Sequence, residues 1–348
     1  MSCEDCTKAE DCGWCLRDDK CYQTGNKKHG GCPNKMLWIE PENCSIKFRP
    51  KFDEDLSLFL FDFTAAAYSD YPQGCLNTKH NDFLVIDTVK QKADFLKDKV
   101  FAFVAFSPSR QEIVIGARGT NEASQLAMEV ARDIHPSEKY HLGGHVDSYF
   151  LGAVRKLYPK IKETVDNISD QYDINHVYLT GHSLGGAIAA LMALRLIEDG
   201  VSSTKLSLYT FGEPRVGDAK FAAIFDALVW DSWRVVHHRD IVPHIPFCFG
   251  LGSCKAHSHF GYHHGVEVFY RRKDMTPTSF GGFPYKICLG SPVDEDQSCS
   301  NKLLDHNPCT TDAPDCVDYH THYYNVHVSN YGIRNCIVNE DSDKAHLR

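Results

Sequence analysis

Between Val177 and Asp199 the chain passes from a β-rich run, Val177 to Thr180, through Gly181-His182-Ser183-Leu184-Gly185 into a helical run, Leu184 to Asp199. This abrupt order admits few architectures. A strand that turns at once into an apolar helix belongs to a parallel sheet covered by helices, because the helix packs back over the strand it has left. The flanking sequence repeats the pattern. Phe101 to Phe106, Ile113 to Ala117, Leu206 to Phe211, Arg234 to His238 and Val266 to Tyr270 read as strands, and Asp218 to Val229 reads as a helix. Phe150, Val154, Leu157, Ile161, Val165 and Ile168 recur at steps of three and four, which predicts an amphipathic helix that Pro159 should kink or restart. The expectation over residues 47–348 is an α/β fold, a mostly parallel central sheet flanked by helices.

Residues 1–46 have another texture: polar, short of periodic apolar runs, and holding seven of the 15 cysteines. Such a segment buries little core and predicts a small disulfide-rich domain. Its pairs Cys3/Cys6 and Cys12/Cys15 also have the spacing of zinc ligands, but the rest of the chain is Cys-rich too, which favours disulfides. Bonds between Cys288 and Cys299, Cys309 and Cys316, and Cys248 and Cys254 are expected, with Cys336 tied back to Cys44 or Cys75; an odd total leaves one thiol over.

This cysteine load fits a secreted or extracellular location, with a lysosome-like compartment as the alternative. The sequons Asn43-Cys44-Ser45 and Asn167-Ile168-Ser169 agree with it. Ser2-Cys3-Glu4 follow Met1 with no apolar leader, so the start is read as that of a trimmed chain. A net charge of −9 argues against a nucleic-acid partner. No apolar run is long enough for a transmembrane segment; the best, Ala187 to Ile197, is broken by Arg195.

The Gly181 to Gly185 motif carries chemistry because of its setting. A sharp strand-to-helix turn lifts the Ser183 hydroxyl out at the carboxyl edge of a sheet, where unpaired helix N–H groups favour developing negative charge. A further acid and a His should follow in that chain order. Asp240 lies just past a predicted strand, at the same edge. Asp218 and Asp231 are rivals, the first better read as a helix N-cap. His257, His259, His263 and His264 read as a His-rich loop rather than a metal site, and neither metal nor cofactor is expected, since Ser-His-Asp chemistry needs none.

Two resemblances follow from these residues. Cys12-Gly13-Trp14-Cys15, with further cysteines on both sides, resembles the small Cys-rich domain of plexins, semaphorins and integrins. Val177 to Ala187 resembles the nucleophile segment of class 3 (fungal-type) triacylglycerol lipases, an α/β-hydrolase family. Gly116 to Thr120, Phe211 to Gly217 and Arg234 to Pro246 resemble three more of that family's segments, in the same order.

The resemblance implies a secreted serine carboxylester hydrolase with Ser183 as nucleophile, Asp240 as acid, and an oxyanion hole from Thr120 and the Leu184 N–H. His320, opening His320-Thr321-His322-Tyr323-Tyr324, is the preferred base, followed by His327 and then His322; Tyr319 departs from the Asp that usually precedes this His. Leu126, Met128 and Val130 mark a candidate lid, although they alternate and the family's usual Trp is absent. The implied partner is a lipid or other ester at a lipid–water interface, triacylglycerol by default. The Cys-rich domain's own partner is not legible. The rivals are a non-catalytic binding or adhesion module on a hydrolase fold and a peptidase using the same triad.

Overall fold

Alternating apolar residues dominate the strands of the larger unit, and each face of its sheet takes a separate set. On Lys99–Ser107, Ala102, Val104 and Phe106 enter one hydrophobic cluster while Phe101, Phe103 and Ala105 enter another. That is the period-two signature of a strand buried on both sides. The computed structural model describes residues 6, 9, 11–15, 20–23, 37–38, 51–92, 99–119, 137–246, 261–276, 284–289, 295–302 and 314–339. Thr120, Leu126, Met128 and Val130, with Cys3, Cys32, Cys44, Cys248, Cys254, His257, His259 and Cys309, lie outside them.

The chain forms two compact units, 1–51 and 52–348, whereas the change of sequence texture falls at 46/47. In the first, β1 (Cys12–Cys15) pairs antiparallel with β2 (Lys20–Gln23) and β3 (Leu37–Trp38). Cys6 is bonded to Cys21, which removes Cys6 from any zinc set, and Cys12 is free.

The second unit opens with α1 (Glu54–Ala66) and α2 (Pro72–Lys79). Eight strands then form one sheet: β4 (Leu84–Lys92), β5 (Lys99–Ser107), β6 (Glu112–Ala117), β7 (His176–His182), β8 (Leu206–Phe211), β9 (Asp231–His237), β10 (Val266–Tyr270) and β11 (Tyr285–Cys288). They lie side by side in chain order. The pairs from β6 through β10 are parallel, and the edges β4/β5, β5/β6 and β10/β11 are antiparallel.

One face is covered by α3 (Ser148–Ser169), α4 (Leu184–Glu198) and α5 (Ala219–Leu228). Of the two outcomes expected at Pro159, a restart does not occur: α3 runs through it as one helix. Leu157, Tyr158, Ile161 and Val165 are buried on both sides of that proline, and four such side chains offset the roughly 3 kcal/mol an interior proline costs. Asp218 caps α5 by accepting the Phe221 N–H, as read from sequence.

The opposite face carries α1 and the C-terminal segment: α6 (Pro314–Thr321), a tight turn at Tyr324-Asn325, and α7 (Val328–Ile333). This segment is pinned by the Cys75–Cys336 disulfide and by Gly332, where an added Cβ would strike Ala65 O. Of the two partners weighed for Cys336 it has Cys75, and Cys288 is bonded to Cys299 as expected. No described helix is long and apolar enough to cross a membrane.

Candidate active site

Strand β7 ends at His182, and Ser183 begins α4 in the left-handed region, with φ 57° and ψ −132°. A non-glycine residue there is strained by about 1–3 kcal/mol. The backbone around it is held on both sides: the Ser183 N–H donates to Phe211 O at 2.9 Å, and the Gly186 N–H donates to Ser183 O at 2.9 Å. The turn also depends on glycine, since a Cβ on Gly185 would lie 2.3 Å from Ala117 O. Ser183 and Leu184 are each only 5% exposed, and Leu184 opens the helix where first-turn N–H groups lack intrahelical acceptors.

Asp240 sits in the turn after β9, fully buried. Its carboxylate accepts from His320 Nδ1 at 3.0 Å to each oxygen, from Tyr323 Oη at 2.6 Å and from the Val242 N–H at 2.9 Å. Burial alone would raise this carboxyl's pKa; the attraction of His320 and these hydrogen bonds outweigh it and hold the pKa below the usual value. The Asp240–His320 contact makes Nδ1 the protonated nitrogen, leaving Nε2 with its lone pair; that atom is buried and unpartnered among the described residues. Gly212, at φ +58°, leaves room for the pair, since a Cβ there would lie 2.6 Å from Asp240 Oδ2 and 3.0 Å from His320 Nδ1.

Ser183 and His320 meet through the residue between them. The His182 ring stacks on His320 at 4.5 Å, and its Nε2 donates to His320 O at 2.7 Å.

The other candidates lie elsewhere. His327 caps α7 by accepting the Asn330 N–H, and His322 faces Asp318 O at 2.9 Å. Asp231 starts β9, at the amino end of the strand whose other end leads to Asp240. Of the His-rich loop, His263 Nε2 bonds Pro243 O and His264 Nε2 bonds Glu213. Among the described residues Glu267, Cys288 and Cys299 form the one group with ligand spacing, and both sulfurs are used in a disulfide. Arg118 is buried over the Phe101 ring, 3.5 Å from Asp70. Sequence reasoning did not single out Tyr68 or Gly212, and saw Tyr323 only as part of a pattern; the His320-x-x-Tyr323 spacing was the one available signal.

Comparison with known proteins finds lipases on the sequence and the fold alike. The sequence model for lipase (class 3) matches residues 114–250. A lipase of Caenorhabditis elegans is 34% identical over 303 residues, covering 82% of this chain and 83% of that protein. The secreted mono- and diacylglycerol lipase 1 of Fusarium solani is 32% identical over 56% of this chain and 54% of its own length. The chain spans about half the length of the curated fungal relatives it matches. Among solved structures, a triacylglycerol lipase whose catalytic centre is described as a serine protease triad superposes with a TM-score of 0.59, at 26% identity, over 79% of this chain and 95% of that one.

Proposed function

The chain belongs to the class 3 lipase family, and from that premise we propose that it is a secreted serine carboxylester hydrolase acting on triacylglycerol or a related lipid ester at a lipid–water interface. The observation that carries this reading is the buried Asp240–His320 pair, whose Nε2 is unpartnered among the described residues, in a fold that also holds a strained serine at a helix N-terminus.

Ser183 Oγ attacks the ester carbonyl and gives its proton to His320 Nε2. Asp240 holds the imidazole in the tautomer that can accept it and stabilises the imidazolium that forms. The Leu184 N–H, together with Thr120, takes the oxyanion, each donor typically worth ~3 kcal/mol. His320 then protonates the leaving alcohol, and a water activated by the same nitrogen hydrolyses the acyl-enzyme. Two of the three disulfides among the described residues lie in the hydrolase unit, which supports an oxidising, extracellular setting.

The test is hydrolysis of p-nitrophenyl esters from C2 to C16 and of emulsified triacylglycerol, by the wild type beside Ser183→Ala. Turnover that rises toward longer chains and vanishes in the variant is expected. A wild type with no Ser183-dependent turnover on any ester would overturn the reading in favour of a binding module, and faster cleavage of a matched amide would make it a peptidase.

A further inference from the structure

Behind the Asp240–His320 pair runs a second line of buried polar groups that no step of the hydrolysis above uses. The Gly119 backbone packs against the Tyr68 hydroxyl, so closely that an added Cβ would lie 2.4 Å from Tyr68 Oη. Tyr68 Oη lies 2.7 Å from His182 Nδ1, and His182 Nε2 lies 2.7 Å from His320 O. Tyr68 is 3% exposed, and His182 and His320 1% each, so water does not stand in for a missing partner.

The chemistry of these atoms fixes the direction of every bond. A carbonyl oxygen only accepts, so the proton of His182 is on Nε2. Burial, reinforced by repulsion from His320, lowers the pKa of His182 to about 3, so the ring is neutral and Nδ1 carries a lone pair. Tyr68 therefore donates its O–H to Nδ1. With the other tautomer, His182 Nε2 and His320 O would face each other lone pair to lone pair.

We propose that Tyr68 and His182 are positioning residues for the reaction: Tyr68 locks the Nε2–H tautomer of His182, and His182 holds the His320 main chain in register with both the nucleophile and the oxyanion strand. The inference rests on the hydrolase reading above. Its force comes from connectivity. His182 and Ser183 are consecutive, so the bond from His182 to His320 O ties base to nucleophile through a single peptide link. Gly119, packed against the Tyr68 hydroxyl, immediately precedes the oxyanion candidate Thr120 in the sequence. Asp240 anchors one atom of the imidazole; the relay anchors the backbone from which that imidazole hangs.

The experiment measures kcat and KM for p-nitrophenyl butyrate, the rate of Ser183 labelling by a phosphonate, and thermal unfolding. It compares Tyr68→Phe, His182→Phe, His182→Gln and the double variant Tyr68→Phe/His182→Phe. Leaving buried partners unpaired should lower kcat about tenfold in Tyr68→Phe and about thirtyfold in His182→Phe, with KM within about twofold. The double variant should match His182→Phe, because both break one line. Glutamine offers an amide N–H to His320 O and an amide oxygen to Tyr68, so His182→Gln should recover to within about threefold of wild type.

Wild-type kcat and labelling rates in Tyr68→Phe would overturn the proposal, and that variant removes one oxygen and tests it even if His182→Phe does not fold. A His182→Gln as poor as His182→Phe would reduce His182 to a packing residue and overturn it equally. Failure of the hydrolase reading is distinct: there the wild type itself lacks Ser183-dependent turnover, and this inference falls with it.

Discussion

A serine, a histidine and an aspartate come together at each end of the sheet's parallel strands, and only one of the two sets has the order of connection that the proposed hydrolysis needs. At the amino end, His176, Ser207 and Asp231 stand on the adjacent strands β7, β8 and β9. His176 Nε2 lies 2.7 Å from Ser207 Oγ, and Ser207 donates its proton to Asp231, which also accepts from Trp233 Nε1 at 2.5 Å. The serine therefore sits between the other two, its proton committed to a carboxylate and its lone pair to an N–H. Burial, with some repulsion from Lys205, lowers the pKa of His176 to about 4, so the ring stays neutral and serves as a donor. Ser207 lies within regular strand, away from any helix N-terminus.

At the carboxyl end the histidine occupies the middle of the chain of bonds. Asp240 bonds one ring nitrogen of His320, the other is without a partner among the described residues, and Ser183 stands in strained backbone at a helix N-terminus. The same three residue types make a structural clasp in one order and acid–base chemistry in the other. Composition of a cluster is thus a poor guide to function; its order of connection and the helix terminus behind it decide.

Three measurements sharpen or break that contrast. The largest effect belongs to the serines. Ser183→Ala should lower kcat/KM on esters by at least about 10⁴-fold, whereas Ser207→Ala should stay within about twofold and register mainly as a lower melting temperature. Comparable losses of activity in both would erase the distinction between the two ends.

Next come the acids. Asp240→Asn, which favours the wrong tautomer of His320, should lower kcat about 10⁴-fold at pH 7. Asp231→Asn should leave ester hydrolysis near the wild-type rate; a loss of even about a hundredfold there would show that the amino-end cluster is coupled to the active site.

The smallest effect is in acid stability, and the two aspartates have opposite signs. Burial raises the pKa of Asp231 in spite of hydrogen bonds from Ser207 and Trp233, so its contribution is present below the unfolded pKa and is lost as pH rises through the folded value. Asp240, with a lowered pKa, contributes above the unfolded value and loses that contribution as pH falls through the folded one. Thermal melts of wild type beside Asp231→Asn, from pH 7 to pH 4, should show the wild type gaining on the variant as pH falls. A constant difference would remove the ionisation of Asp231 from the account.

What was legible in the sequence was local. The strand, elbow and helix from Val177 to Asp199 announced themselves through residue type and spacing, and Asp240 through its place just after a strand. Which histidine faces Asp240 was not settled by the letters around it, because His320, His322 and His327 lie within one short segment. The choice is made by tertiary packing: Gly332 against α1, Cys336 bonded to Cys75, and Tyr323 turned in to Asp240. Tyr68 had no signal at all, since its role depends on a contact 114 residues along the chain. Pro159 shows the same in reverse: its local cost does not divide α3, whose buried face runs along both sides of it.

The Cys75–Cys336 bond spans 261 residues and fastens the segment that delivers His320. Its place in the chain has a consequence for the timing of synthesis. As the polypeptide emerges, the nucleophile comes first, the acid 57 residues later, and the base only after a further 80, with the cysteine that fastens it later still. A nascent chain thus carries Ser183 through 137 further residues of synthesis, and Asp240 through 80, before the proposed base is added, so the proposed triad is complete only when little of the chain remains to be made.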